Sequence, residues 1–184
     1  VARVSGAADV TSGTVTVNVN NTSSGNGGGT NTNTNSNSTG TTVSWVDDSL
    51  PPGALAAVDG GDLWNWISAN PTPAVGSKAH QSTVGNALHQ HYFDWASQTL
   101  TVNAGETMYA YVYLDPANMP REIMLQWNDG SWEHRAFWGE DLIAYGTKNT
   151  TGRKSMGALP AAGQWVRLEV PGSAVGLEGK TVKG

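Results

Sequence analysis

Four histidines, His80, His89, His91 and His134, are the residues of this chain best suited to metal or acid–base chemistry. His89 and His91 lie two apart in the run LHQHYFDW. In a strand they share one face, about 7 Å apart. Imidazole nitrogens at that spacing, joined by a third ligand, suit Zn²⁺ or another transition metal, and an open position on such an ion permits hydrolysis. No HExxH element accompanies them. The alternative is a set of hydrogen-bonded side chains in a ligand cleft or a polar core network. Asp59 and Asp62 bracket two glycines in DGGD. They offer oxygen ligands to a structural calcium ion, or they are simply a turn. Glycoside hydrolysis needs two carboxyl groups a few ångströms apart. Asp129, Glu133, Glu140 and Asp141 cluster in sequence, but acids at turns are ordinarily solvated. There is no GxSxG, and the only glycine-rich run, SGNGGG, opens no helix to hold a phosphate. The expectation is a chain that is not an enzyme and has no cofactor other than that calcium.

Binding chemistry is better represented. The stretch LQWNDGSWEHRAFWGED, residues 125–141, surrounds an Asn-Asp-Gly turn with aromatic rings. An exposed Trp or Tyr offers a flat apolar surface with a polar handle, which matches the C–H face of a sugar. Alternation on the second arm of the hairpin puts Trp132, His134 and Trp138 on one surface, opposite Glu133, Arg135 and Phe137. Trp132, His134 and Trp138 are therefore the expected core of a glycan platform, with Arg135, Glu133 and Asn128 bonding to hydroxyls. Trp64 and Trp66, which share a face in DLWNWIS, and His89 and His91 are candidates for the rest. The competing reading is that these rings are domain core.

These side chains must be positioned by short strands. The 184 residues include 23 Gly, 8 Trp, 5 Tyr and no Cys, with 14% charged residues and a net charge of −5. Such a composition suits a β-rich extracellular protein, and the absence of Cys removes disulfides, thiolate metal sites and Cys nucleophiles. The mild acidity argues against a nucleic-acid partner. No apolar run reaches the roughly 18 residues of a membrane helix, so membrane insertion is not expected. The chain starts without Met and without a signal peptide's basic and apolar regions, and reads as a mature chain or a fragment.

Three pieces follow one another. Residues 1–21 contain strict alternation from Thr14 to Asn20, with Val15, Val17 and Val19 on one side, which predicts one half-buried strand. A single strand must bury its valines elsewhere. Residues 22–42, rich in Thr, Asn, Gly and Ser, hold no large apolar residue and read as a flexible linker. Residues 43–184 alternate short β-type runs (VSWV, LWNWIS, LHQHYFDW, QTLTV, TMYAYVYLD, REIMLQWN, SWEHRAFW, QWVRLEV) with turn signals such as PPG, DGGD, NAGE and NDG. That pattern predicts an all-β antiparallel sandwich or barrel. In MYAYVYL, Met108, Ala110, Val112 and Leu114 should face the core and Tyr109, Tyr111 and Tyr113 the other side. The sequons at Asn20, Asn37 and Asn149 are expected by chance in so Asn- and Thr-rich a chain.

Residues 44–184, and in particular WVDDSLPPGA, DGGDLWNWISANPTPAVGSKAHQS, AYVYLDPANMPREIMLQWNDGSWEHRAFWG and MGALPAAGQWVRLEVPGSAVGLEGKTVKG, resemble a β-sandwich domain of secreted multidomain bacterial proteins, similar to jelly-roll carbohydrate-binding modules of the galactose-binding-like type. The N-terminal SGTVTVNVNN resembles the last strand of a bacterial immunoglobulin-like or cadherin-like repeat. The resemblance implies a jelly-roll sandwich, a glycan or polysaccharide partner and a place at the cell surface or in the medium. In domains of that kind GLEGKTVKG leads into a further apolar strand, so the sandwich is expected to lack its last strand here. Either the remainder is missing, or a strand is supplied from elsewhere. Val15, Val17 and Val19 would then be the donated residues, identical subunits the partner, and an extracellular filament or surface layer the product.

Overall fold

In a computed structural model the chain is all-β, with twelve strands, one short 3-10 turn and no α-helix among the described residues, which are 2–5 and 42–184. The strands are β1 (Ala2–Ser5), β2 (Leu55–Asp59), β3 (Asn65–Ile67), β4 (Ala79–Gln81), β5 (His89–Asp94), β6 (Leu100–Val102), β7 (Thr107–Tyr113), β8 (Glu122–Trp127), β9 (His134–Gly139), β10 (Lys154–Ser155), β11 (Trp165–Pro171) and β12 (Lys180–Val182). The predicted strand at Thr14–Asn20, with Val15, Val17 and Val19, and all but the last residue of the predicted linker lie outside the described residues.

One sheet has six strands in the order β10-β9-β8-β1-β5-β2, and β7–β11, β6–β12 and β3–β4 form two-stranded pairs. Every pairing is antiparallel except β10 with β9. β1 sits in the middle of the large sheet, with Arg3 opposite both Gln90 and Met124. The alternation rules do not flag this four-residue strand, because ARVS is too short to show a period.

Alternation on β7 does what its pattern requires. Met108, Ala110, Val112 and Leu114 are all buried. They meet Ile123, Leu125, Trp127, Ala136 and Trp138 from the six-stranded sheet in one main core, together with Leu168, Val170, Leu100 and Val182. Each fully buried Leu, Val or Met of this set contributes on the order of 1.5–3 kcal/mol by leaving water. β8 is buried on both faces: Met124 packs with Phe137 and Ile143 on the side away from the main core. A strand covered on both sides reads as a continuous apolar run, which explains EIMLQW. VSWV departs from expectation. Only an isolated bridge forms there, while Trp45 and Val46 are core side chains, Trp45 donating from Nε1 to Gln98 O at 2.5 Å.

Candidate functional site

The hairpin of β8 and β9 has the facing predicted for it, but the face carrying His134 and Trp138 is turned inward. Trp138 lies opposite Ile123 and is 6% exposed, in the main core. His134 is held between Val175 O, 2.7 Å from Nδ1, and Asp129 Oδ1, 3.2 Å from Nε2. Trp132 precedes the strand, half-buried against the core and edge-on to Tyr92 at 5.8 Å. The three expected platform residues are thus not assembled into an open surface.

Asn128, Glu133 and Arg135 lie toward the opposite face, where Glu133 and Arg135 begin a chain of polar contacts across the sheet. Arg135 Nη1 donates to Glu133 Oε1 and to Gly152 O, both at 3.1 Å, and its Nε lies 3.4 Å from Gln126 Oε1. Gln126 then donates to Gln90 Oε1 at 3.1 Å, and Gln90 to Asp59 Oδ2 at 3.3 Å. Gln90, Gln126 and Arg135 are buried, so these bonds satisfy groups that water cannot reach. Asn128 bonds Asp94 Oδ2 through Nδ2 and accepts from Gly130 N through Oδ1.

Asp62, His89 and His91 come together in the interior, with His80, Trp64 and Trp66 beside them. Asp62 Oδ2 is 3.1 Å from Nδ1 of both His89 and His91, and Oδ1 accepts from Thr83 N at 2.8 Å. Trp64 covers this group, its ring 4.5 Å from His91, 4.9 Å from His80 and stacked on Trp66 at 6.0 Å. Asp59 takes no part in it: its oxygens accept from Gly60 N and Gln90. The two aspartates expected to share a calcium ion are therefore committed to separate partners, and no group of three or more His, Asp or Glu among the described residues has metal-site geometry. His89 and His91 of the HQH strand thus take part in a buried polar network with Asp62.

This network makes stability depend on pH. Burial pushes the Asp62 carboxyl up, but His89 and His91 outweigh it and hold the group well below the ordinary carboxylate range. Burial, reinforced by His91, holds His80 well below its ordinary 6.5. As pH falls below about 6.5 the unfolded chain protonates His80 while the folded chain does not. Stability then drops by about 1.4 kcal/mol per pH unit. Asp62 adds to the loss once pH falls below about 4, where the unfolded carboxylate takes up its proton first. Thermal melts should give a lower Tm at pH 5 than at pH 7.5, and His80→Phe should flatten that difference.

Two accessible aromatic features remain. Trp95 follows β5 with φ of 63° and is 62% exposed, with Lys183 Nζ 4.1 Å over its ring. A bulky residue in the left-handed region is a true backbone outlier, and nothing in the run FDW signals it. The second is an open cleft of about 440 Å³ lined by Asn70, Pro71, Gln81, Tyr113 and Asp115. Beside it Trp165 meets the Tyr113 ring edge-on at 5.7 Å, and its Nε1 donates to Thr72 O. Both rings are half-buried, on the outer face of the β7–β11 pair, where Tyr113 lies opposite Trp165 and Tyr111 opposite Arg167. Gln81 accepts from Asn65 Nδ2 through Oε1. Asp115 bonds Ala117 N and Asn118 Nδ2. Sequence reasoning placed the tyrosines on the outer face; it missed Trp165, Asn70 and Gln81, which come from three separate segments.

Together these elements define an all-β protein of packed antiparallel sheets with an aromatic, polar-lined cleft on its outer surface. Comparison with protein-family models, curated proteins and solved structures gave no match.

Proposed function

We propose that the chain is a non-catalytic glycan-binding module of an extracellular or cell-surface protein, with a jelly-roll β-sandwich fold and its ligand seated at Tyr113 and Trp165. The carrying observation is that these two rings, only half-buried, stand beside a cleft whose other walls are Pro71 and the amide and carboxylate residues Asn70, Gln81 and Asp115. Apolar rings with hydrogen-bonding groups at their edge are the chemistry a sugar needs, with C–H surface on one side and hydroxyls on the other. A cleft of this size lies within the range that accommodates small ligands. The low charge and the Thr, Ser and Asn content fit an extracellular setting.

Affinity electrophoresis against a panel of soluble polysaccharides tests this reading. Retardation by one glycan class is expected, weakened about tenfold or more in Trp165→Ala, as for a central aromatic anchor, and unchanged in Trp132→Ala. If no polysaccharide retards the chain, or Trp165→Ala binds like the wild type, the cleft is not a glycan site.

A further inference from the structure

Among the described residues, β1 pairs only with strands far from it in sequence. It is antiparallel to β8 on one side and β5 on the other, with Val4 opposite both Ile123 and His89. Residues 6–41 separate it from the rest of the described chain, and from 22 to 41 their sequence offers no large apolar residue. Without β1, β5 and β8 would flank an opening one strand wide, about 10 Å across. Two unpaired edges would then lie inside the sheet, with buried N–H and C=O groups lacking partners.

The mouth of the same opening is held by the other end of the chain. Lys183 N donates to Asn128 O and Asn128 N to Gly184 O, while Ala96 N donates to Lys183 O. Lys183 and Gly184 thus lie between the continuations of β8 and β5. Three residues back along β8, Leu125 faces Ala2. The two stretches lie end to end in one slot, antiparallel to the same two strands. Backbone pairing reads direction and register, not which molecule the strand belongs to.

We propose that Ala2–Ser5 is an exchangeable strand and that its partner is a second copy of this chain: the segment of one molecule fills the β5–β8 slot of the next. Donor segment and acceptor slot are different parts of the surface, so the contact is heterologous and propagates head to tail unless it closes into a ring. Closure within one molecule competes, since a strand and slot on one chain meet at an effective concentration on the order of millimolar. Linkage between molecules therefore grows with protein concentration.

The chain has no cysteine, so disulfide trapping has a clean background. Residues directly opposite in an antiparallel pair are close enough for a disulfide. Full-length chain carrying Val4→Cys and Ile123→Cys would be oxidised at concentrations from micromolar to millimolar and run on non-reducing gels. Arg3→Cys with Gln90→Cys serves as the second pair should the first fail to fold. The expected result is cross-linked monomer at the lowest concentration and a ladder of dimers and higher species that reaches roughly half of the protein near millimolar. Cross-linked monomer alone at every concentration would overturn exchange between copies. The absence of any cross-link from either pair would overturn the assignment of Ala2–Ser5 to the slot.

Discussion

Replacing Trp138 with alanine is expected to destabilise the protein by about 3–5 kcal/mol, the usual cost of deleting a buried aromatic side chain. The indole sits on β9 in the main core, 6% exposed, opposite Ile123. Its removal takes away the transfer energy of the ring and leaves a cavity that close-packed neighbours fill only in part. Against a typical total of about 5–15 kcal/mol, that loss brings the chain close to unfolding at moderate temperature. Urea denaturation followed by circular dichroism measures it. A change within about 0.5 kcal/mol, typical of surface substitutions, would place the ring at a surface instead and revive the platform first read from the sequence.

Asp62→Ala should cost a similar amount, about 3–5 kcal/mol, by a different mechanism. Its carboxylate is fully buried and serves Thr83 N, His89 and His91 together. Truncation removes a carboxylate from two buried imidazoles and leaves the Thr83 amide without its acceptor, and buried polar groups stranded in this way pay their full desolvation. Asp62→Asn, which keeps an acceptor for Thr83 N but removes the charge, should fall between wild type and Asp62→Ala. Asp59→Ala is the control. Asp59 is exposed, and among the described residues its side chain bonds Gly60 N and the buried Gln90, so its loss strands one Gln90 N–H and should cost about 1–2 kcal/mol, short of Asp62→Ala. Equal effects at the two positions would mean that Asp62 is not the centre of the network.

The strands with a strong period were legible. β7 is recognisable from Met108, Ala110, Val112 and Leu114, and the inward and outward faces of β8 and β9 from the residues about the Asn-Asp-Gly turn. β1, β2, β4, β10 and β12 were not seen as strands. β2 is an edge strand with mostly exposed side chains, and β10 has only two residues, so neither leaves an apolar rhythm to read. Their extended form is decided by cross-strand hydrogen bonds that have no counterpart in local sequence.

By itself, the sequence determined the class of fold, the face on which each residue of the strong strands lies and the shortage of charge, because a period of two and a hydrophobic balance are local properties. Only the tertiary structure decided which face is the inside. On β9 alternation pairs His134 with Trp138 whether or not another sheet covers them, and here one does. The same holds for the histidines: a spacing of two puts His89 and His91 side by side, but Asp62 between them comes from a separate turn and joins them in a buried network. The Tyr113–Trp165 cleft joins residues from distant segments, and β1 enters the sheet from the far end of the chain. Long-range pairing of this kind is set by the packing of whole sheets, which no single window of sequence contains.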